Sequence, residues 1–142
     1  IKMQEYIDFA IKHPFLLGLF TFILVLIITG ELRRKATGAK SLQPMHATQL
    51  INQDNCSVLD VRPTAEFNQG HIIGATNLVL SEVAEKDERT IKDKSAPVLV
   101  YCKNGTQAPA AAKQLQQTGF EQVYLLAGGL MSWQAESMPL EK

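Results

Sequence analysis

With 142 residues the chain has room for one globular domain of ordinary size and an additional segment. Its 14 basic and 14 acidic residues cancel, and no basic cluster falls on the part expected to fold, which excludes a nucleic-acid surface. Two cysteines, Cys56 and Cys102, and three scattered histidines, His13, His46 and His71, give neither a disulfide framework nor metal-ligand spacing, so neither metal nor cofactor is expected and a reducing compartment fits.

The charges are unevenly spread. Lys2, Lys12, Arg33, Arg34, Lys35 and Lys40 face only Glu5, Asp8 and Glu31 in the first forty residues, which leaves the remainder mildly acidic. Residues 1–13 read as an N-terminal flank, and Met3 is a candidate start residue with Ile1 and Lys2 upstream of it. Residues 14–30, PFLLGLFTFILVLIITG, carry no charge and are apolar on every face, unlike an amphipathic core helix. Their length is close to what one transmembrane helix needs. A signal peptide calls for a small-residue cleavage site soon after the apolar run. Here Glu31, Arg33, Arg34 and Lys35 come first, which reads as an anchor. Arg33, Arg34, Lys35 and Lys40 outweigh Lys2 and Lys12, so the C-terminal domain is expected on the cytoplasmic side of a bacterial inner membrane, single-pass. Residues 31–40 form a basic linker short enough to keep the following domain, 41–142, near the membrane surface.

The stretch 36–43 runs into a first edge strand. Pro44 suits the first position of a helix over 45–52 with Ala47, Leu50 and Ile51 on one face. A short strand over 56–62 ends in polar residues. Pro63 opens a helix over 64–68 that Gly70 closes. Residues 74–80 read as a strand, and 81–94 as a solvated helix and loop capped by Ser81. The apolar run 96–102 is the strongest strand. A helix over 107–118 follows, with Pro109 in its first turn and Gly119 at its end. A last strand over 120–129 and a short helix anchored by Trp133 complete the chain. Strands alternating with helices predict an α/β fold with a central, mainly parallel sheet and helices on both faces.

Cys102 stands where the central strand meets a helix start, the place at which parallel sheets bind ligands. The amides of Lys103, Asn104, Gly105, Thr106 and Gln107 can curl around its sulfur, with Gly105 allowing a positive φ. Such a nest, the positive end of the helix dipole and Lys103 all favour an anion there, hence thiolate over thiol. The bland reading is a small apolar residue ending a strand, and position alone leaves both open.

LDVRPTAEFNQGHIIGATNL, then VLVYCKNGTQAPAAAKQLQQTGF, then VYLLAGGLMSW and Met138-Pro139 together resemble a single-domain rhodanese over about residues 40–140. With the apolar segment, the chain is similar to the membrane-anchored rhodaneses of bacteria. The resemblance implies a sulfurtransferase that carries sulfane sulfur as a persulfide on Cys102, held by the loop 103–107. The donor would be thiosulfate or another persulfide, the acceptor a thiol or cyanide-like nucleophile. It implies structural support from Asp60 and Arg62, the latter expected to pair with Glu66, and architectural roles for Gly70, His71, Gly74, Ala75, Gly128, Gly129 and Trp133. An integral membrane protein is a candidate partner.

One position departs from the family pattern. Gln107 stands where many thiosulfate-using members have Arg, so the charged, bidentate grip on an oxyanion is missing. Phosphatases and arsenate reductases end a longer loop with Arg. Here Ala108 occupies that place and no Arg follows residue 90, which argues against phosphate chemistry. The remaining alternative is a non-catalytic rhodanese-fold module that associates with a membrane protein. Cys56, without a loop, Gly or basic neighbour, reads as a buried small residue.

Overall fold

Strand β5 (Val98–Tyr101) is apolar and buried at every position, as a strand covered on both faces must be. The computed structural model describes residues 2–36, 38–53 and 55–142, with side chains for all of these except 31–36, 87 and 88. The chain divides into two compact units, Ile1–Ala36 and Thr37–Lys142.

In the larger unit, β5 is the middle strand of a five-stranded parallel sheet. Its partners are β1 (Lys40–Leu42), β2 (Ser57–Asp60), β4 (Ala75–Asn77) and β6 (Val123–Leu126), in the order β1-β6-β5-β2-β4. The register places Asp60 beside Tyr101 and Val100 beside Leu125. Side chains alternate along a strand, so β5 feeds two separate cores. Val98, Val100 and then Cys102 join Ala111, Ala112 and Leu115 of α6 (Ala108–Gln117) and Val83 of α5 (Val83–Thr90). Leu99 and Tyr101 join Ala47 and Leu50 of α3 (Pro44–Ile51) and Leu130 and Trp133 of α7 (Gly129–Ala135). The expected helices on both faces are therefore present. A short helix α4 (Thr64–Phe67) follows β2.

Two secondary-structure features of the larger unit depart from the sequence reading. Ser81 does not cap a helix: it lies inside a 3-10 turn, Leu80–Glu82, whose cap is Val79. Leu80 packs against the core and Val83 is buried in it, which draws the chain inward before α5 begins. A second, two-stranded antiparallel sheet joins β3 (His71–Ile72) to β7 (Leu140–Glu141). These strands are too short for period-2 patterning to show, and their partners lie about seventy residues apart in the chain.

In the smaller unit, α1 (Lys2–Lys12) precedes α2 (Pro14–Ala36). The expected single span over 14–30 is not met as such. Among the described residues no single helix is long and apolar enough to cross a membrane. The 14–30 segment passes by length and composition only together with α1, from which it is bent by 94°. Pro14 explains the break: it has no N–H to continue the α1 ladder, and its fixed φ suits a helix start. Every residue from Pro14 to Gly30 is exposed.

A buried clamp holds the C-terminal end of β2. Asp60 is 0 % and Arg62 5 % exposed. The Arg62 guanidinium donates from Nε to both carboxylate oxygens at 3.0 Å and from an Nη to Oδ2 at 2.6 Å. The same Nη donates to the Gly70 carbonyl at 2.8 Å, and the Arg62 amide donates to Asp60 Oδ1 at 2.9 Å. The partner of Arg62 is thus Asp60 and not the expected Glu66, because the side chain folds back over its own strand end. Burial alone would favour neutral arginine, but the bonds and charge of Asp60, with Tyr101, outweigh it and raise the guanidinium pKa. Asn77 at the end of β4 donates to the carbonyls of Asp60 (3.1 Å) and Arg62 (2.9 Å), which ties the neighbouring strand into the clamp.

Removing one partner of such a pair leaves a buried charge uncompensated, at a cost of about 3–5 kcal/mol. Asp60→Ala should lower the urea unfolding midpoint, followed by Trp133 fluorescence, by a corresponding amount. The double variant Asp60→Leu/Arg62→Met should lose less than Asp60→Ala alone. Equal losses would show that the charge pair is not what matters.

Candidate active site

The alternation along β5 turns Cys102 toward α6, so its sulfur meets the start of that helix. The Gly105 amide donates to Sγ at 3.1 Å and the Gln107 amide at 3.3 Å. The loop can close this tightly because Gly105 has φ +87°, a region that a side chain would strain. Asn104 and Thr106 brace the loop from within. The amide and hydroxyl of Thr106 donate to Asn104 Oδ1 at 3.2 and 2.7 Å, a turn held by its own side chains. Of the residues expected to bind substrate, Gly105 and Gln107 thus offer amides to the sulfur, and Asn104 and Thr106 hold the turn.

The loop is also held from behind. The amides of Leu130 and Met131 donate to the carbonyls of Cys102 and Lys103 at 2.9 and 3.0 Å. This contact requires two glycines. A Cβ on Gly129 would lie 2.5 Å from the Cys102 carbonyl oxygen and 2.8 Å from the amide nitrogens of Asn104 and Gly105. Gly128 and Gly129 both have positive φ, +72° and +62°. The family resemblance implies an architectural role for these glycines, but their direct support of the loop rests on a distant contact that no local pattern reveals. Asn77 is a second supporting residue that sequence reasoning missed. Its position at the C-terminal edge of a parallel strand was the available signal.

Two recesses open beside the loop, and Lys103 lines both. One, of about 280 Å³, lies between Arg62, Glu66, Gln69 and Gly70 on one side and Leu130, Met131, Gln134 and Leu140 on the other. The second, of about 220 Å³, is lined by Arg62, Pro63, Glu66, Asn104, Thr106 and Gln107 as well. Cys102 lines neither and is 1 % exposed, so its sulfur sits below the rim that the loop forms. Arg62 reaches the edge of both recesses, with its Nε and one Nη engaged by Asp60 and Gly70.

Tyr101, fully buried beneath the site, accepts the Ile72 amide on its hydroxyl at 3.1 Å, and Arg62 stands 5.9 Å from its ring centroid. Burial and the nearby Asp60 carboxylate push its pKa far up, so the hydroxyl stays neutral. His71 lies outside the site. It stacks on Phe67 at 3.7 Å, shares a hydrogen bond with the Phe67 carbonyl through Nδ1 at 3.0 Å, and places Nε2 3.3 Å from Glu141. That geometry is structural. Among the described residues no His, Cys, Asp or Glu cluster could hold a metal ion.

Cys56 is half-buried, donates weakly to the Ser57 carbonyl at 3.7 Å, and lies in no amide cradle. Burial pushes its thiol pKa up. A raised pKa leaves less thiolate at a given pH, so in a Cys102→Ser variant alkylation of Cys56 by iodoacetamide should be slower than that of free cysteine at pH 8. The rate should still be climbing above pH 9. A plateau by pH 9 would contradict the burial argument.

The family model of the rhodanese-like domain matches residues 44–136. The chain is 33% identical over 139 residues to the uncharacterized protein YibN of Escherichia coli K12, covering 97% of each chain. It is also 33% identical over 96 residues to the thiosulfate sulfurtransferase GlpE of Coxiella burnetii, covering 68% of this chain and 88% of that one. Among solved structures, the rhodanese-like domain of the Alr3790 protein from Anabaena superposes with a TM-score of 0.65 at 28% identity, over 71% of this chain and 77% of that one. A rhodanese with anions from E. coli gives 0.55 at 36% identity, over 61% of this chain and 98% of that one. The five-stranded parallel sheet, the cysteine loop at the end of its central strand and the match across 44–136 make this chain a member of the rhodanese-like domain family.

Proposed function

We propose that this protein is a membrane-tethered sulfurtransferase that carries sulfane sulfur as a persulfide on Cys102. The observation that carries the reading is the convergence of the Gly105 and Gln107 amides on Sγ at the start of α6. Charge-assisted hydrogen bonds of this kind are roughly twice as strong as neutral ones. They stabilise a sulfur anion without a general base or a metal. In the first half-reaction the Cys102 thiolate attacks the outer sulfur of thiosulfate or of a persulfide donor. A new S–S bond forms, the donor's own bond to that sulfur breaks, and sulfite or the donor thiolate leaves with the electron pair. In the second, a thiolate or cyanide attacks the outer sulfur and the Cys102 thiolate is released. Neither half needs an external oxidant or reductant. The relative named as a thiosulfate sulfurtransferase supports the same class of chemistry.

Gln107 bears on the donor. It lines the smaller recess, where its amide side chain offers dipoles and no charge, while Nε and one Nη of the nearby Arg62 are taken by Asp60 and Gly70, which removes a bidentate grip. Thiosulfate is therefore a poor donor in this reading, and a small-molecule or protein persulfide is the natural one.

The tether rests on the exposed, uncharged surface of residues 14–30, where Phe15 is 81% and Phe20 64% exposed. Such a surface is stable in lipid and costly in water. The basic residues 33–35 favour the cytoplasmic side of a bacterial inner membrane for the rhodanese-like domain in this reading, where an integral membrane protein is a candidate partner or sulfur acceptor.

Loading the protein with one equivalent of sulfur donor and mapping the added sulfur by mass spectrometry should place it on Cys102. An unlabelled Cys102 would favour the non-catalytic interaction module, and label on Cys56 would overturn the mechanism. Gln107→Arg should raise kcat/KM in the thiosulfate:cyanide assay by about tenfold, as one added charged hydrogen bond allows. Equal turnover in the two proteins would remove Gln107 as the determinant.

A further inference from the structure

α1 is absent from any account of sulfur transfer, yet its surface is highly ordered by sequence. Met3, Tyr6, Ile7, Ala10 and Ile11 follow the i, i+3, i+4, i+7, i+8 spacing and form one apolar stripe. Gln4, Glu5, Asp8 and Lys12 lie on the other side of the helix, with Phe9, 58% exposed, as the one apolar residue outside the stripe. No residue of α1 is buried, and Met3, Tyr6 and Ile11 are 77%, 74% and 71% exposed. A stripe of this kind left in water is destabilising, so something covers it.

The bend to the next helix says what. α1 stands at 94° to Pro14–Gly30. The His13 amide closes α1 on the Phe9 carbonyl at 3.1 Å, and the Leu17 amide opens α2 on the His13 carbonyl at 3.2 Å, so one residue makes the corner. With residues 14–30 along the membrane normal, as proposed above, α1 lies in the plane of the bilayer surface. Ala10, part of the stripe, is the one residue of α1 that is partly shielded, which is consistent with the stripe facing the inner side of the corner, where lipid would be.

We infer that α1 is an interfacial helix that lies on the lipid surface, with Met3, Tyr6, Ile7 and Ile11 sunk to the acyl-chain boundary and the Glu5–Asp8 face in water. This inference rests on the membrane reading of residues 14–30. The ligand is the bilayer interface itself. Lys2 and Lys12 are offset by Glu5 and Asp8, so binding is driven by apolar burial and is insensitive to anionic headgroups. In membrane terms α1 fixes the depth and tilt of the helix that follows it, as interfacial anchors do.

The test uses the full chain in phosphatidylcholine vesicles, with Cys56→Ser and Cys102→Ser in the background. Nitroxide labels are attached through Tyr6→Cys, Asp8→Cys or Leu24→Cys, and collision with oxygen and with a water-soluble nickel chelate is compared. The label at 6 should show an oxygen-to-nickel collision ratio several-fold above that at 8, and the label at 24 a higher ratio still. If 24 is deep but 6 is as open to nickel as 8, the interfacial helix is wrong while the membrane segment stands. A label at 6 shielded from both reagents would mean a protein partner or a second copy covers the stripe, which overturns the inference. Nickel access at 24 would overturn the membrane reading itself, and this inference with it.

Discussion

Parallel pairing on both edges of β5 leaves that strand no side that meets water, and the rest of the domain follows from this constraint. A strand buried on both faces must be apolar throughout and must divide its side chains between two cores. Leu99 and Tyr101 go to the α3 and α7 side, and Val98 and Val100 to the α5 and α6 side. The next residue in that alternation is Cys102. Its sulfur meets the amides at the start of α6 because the strand's own two-residue period delivers it there. The same cysteine one residue earlier or later would face the other core, away from α6.

The buried Asp60–Arg62 clamp plays the complementary part at the neighbouring strand end. A buried ion pair is weak evidence of net stabilisation, since the desolvation cost offsets much of the attraction. What it supplies here is fixed geometry: one guanidinium joins the end of β2 to Gly70, and Asn77 brings in the end of β4. With Nε and one Nη taken by Asp60 and Gly70, the guanidinium has no free two-nitrogen edge to offer an anion bidentately, although Arg62 borders both recesses. Anion recognition at the rim then rests chiefly on the loop amides and on Lys103, which lines both recesses.

Much of this organisation was legible from local signals. Pro44, Pro63 and Pro109 mark helix starts, Gly105 marks the turn around the sulfur, and the apolar run before Cys102 marks the central strand. These features are short-range, set by backbone sterics and hydrophobic period. What escaped the sequence reading depends on contacts between distant segments. The pairing of β3 with β7, the passage of Gly129 against the Cys102 carbonyl and the contribution of Asn77 all need the fold to bring segments together. The pairing of Arg62 with Asp60, where the sequence reading expects Glu66, has a related reason. Both acids are near it in sequence, and only the direction of the strand end decides which one its side chain reaches.

The bonds from Leu130 and Met131 to the carbonyls of Cys102 and Lys103 have a conformational consequence. A loop of consecutive amides can reverse its polarity if a single peptide plane rotates, since the carbonyl then points where the N–H pointed. At Cys102 and Lys103 those carbonyl oxygens are already held by the start of α7, so such a rotation would first have to break them free. The Cys102–Lys103 and Lys103–Asn104 planes are thereby held in place, so the chain enters the Asn104–Gly105 and Thr106–Gln107 peptides, whose amides meet the sulfur, from a fixed direction.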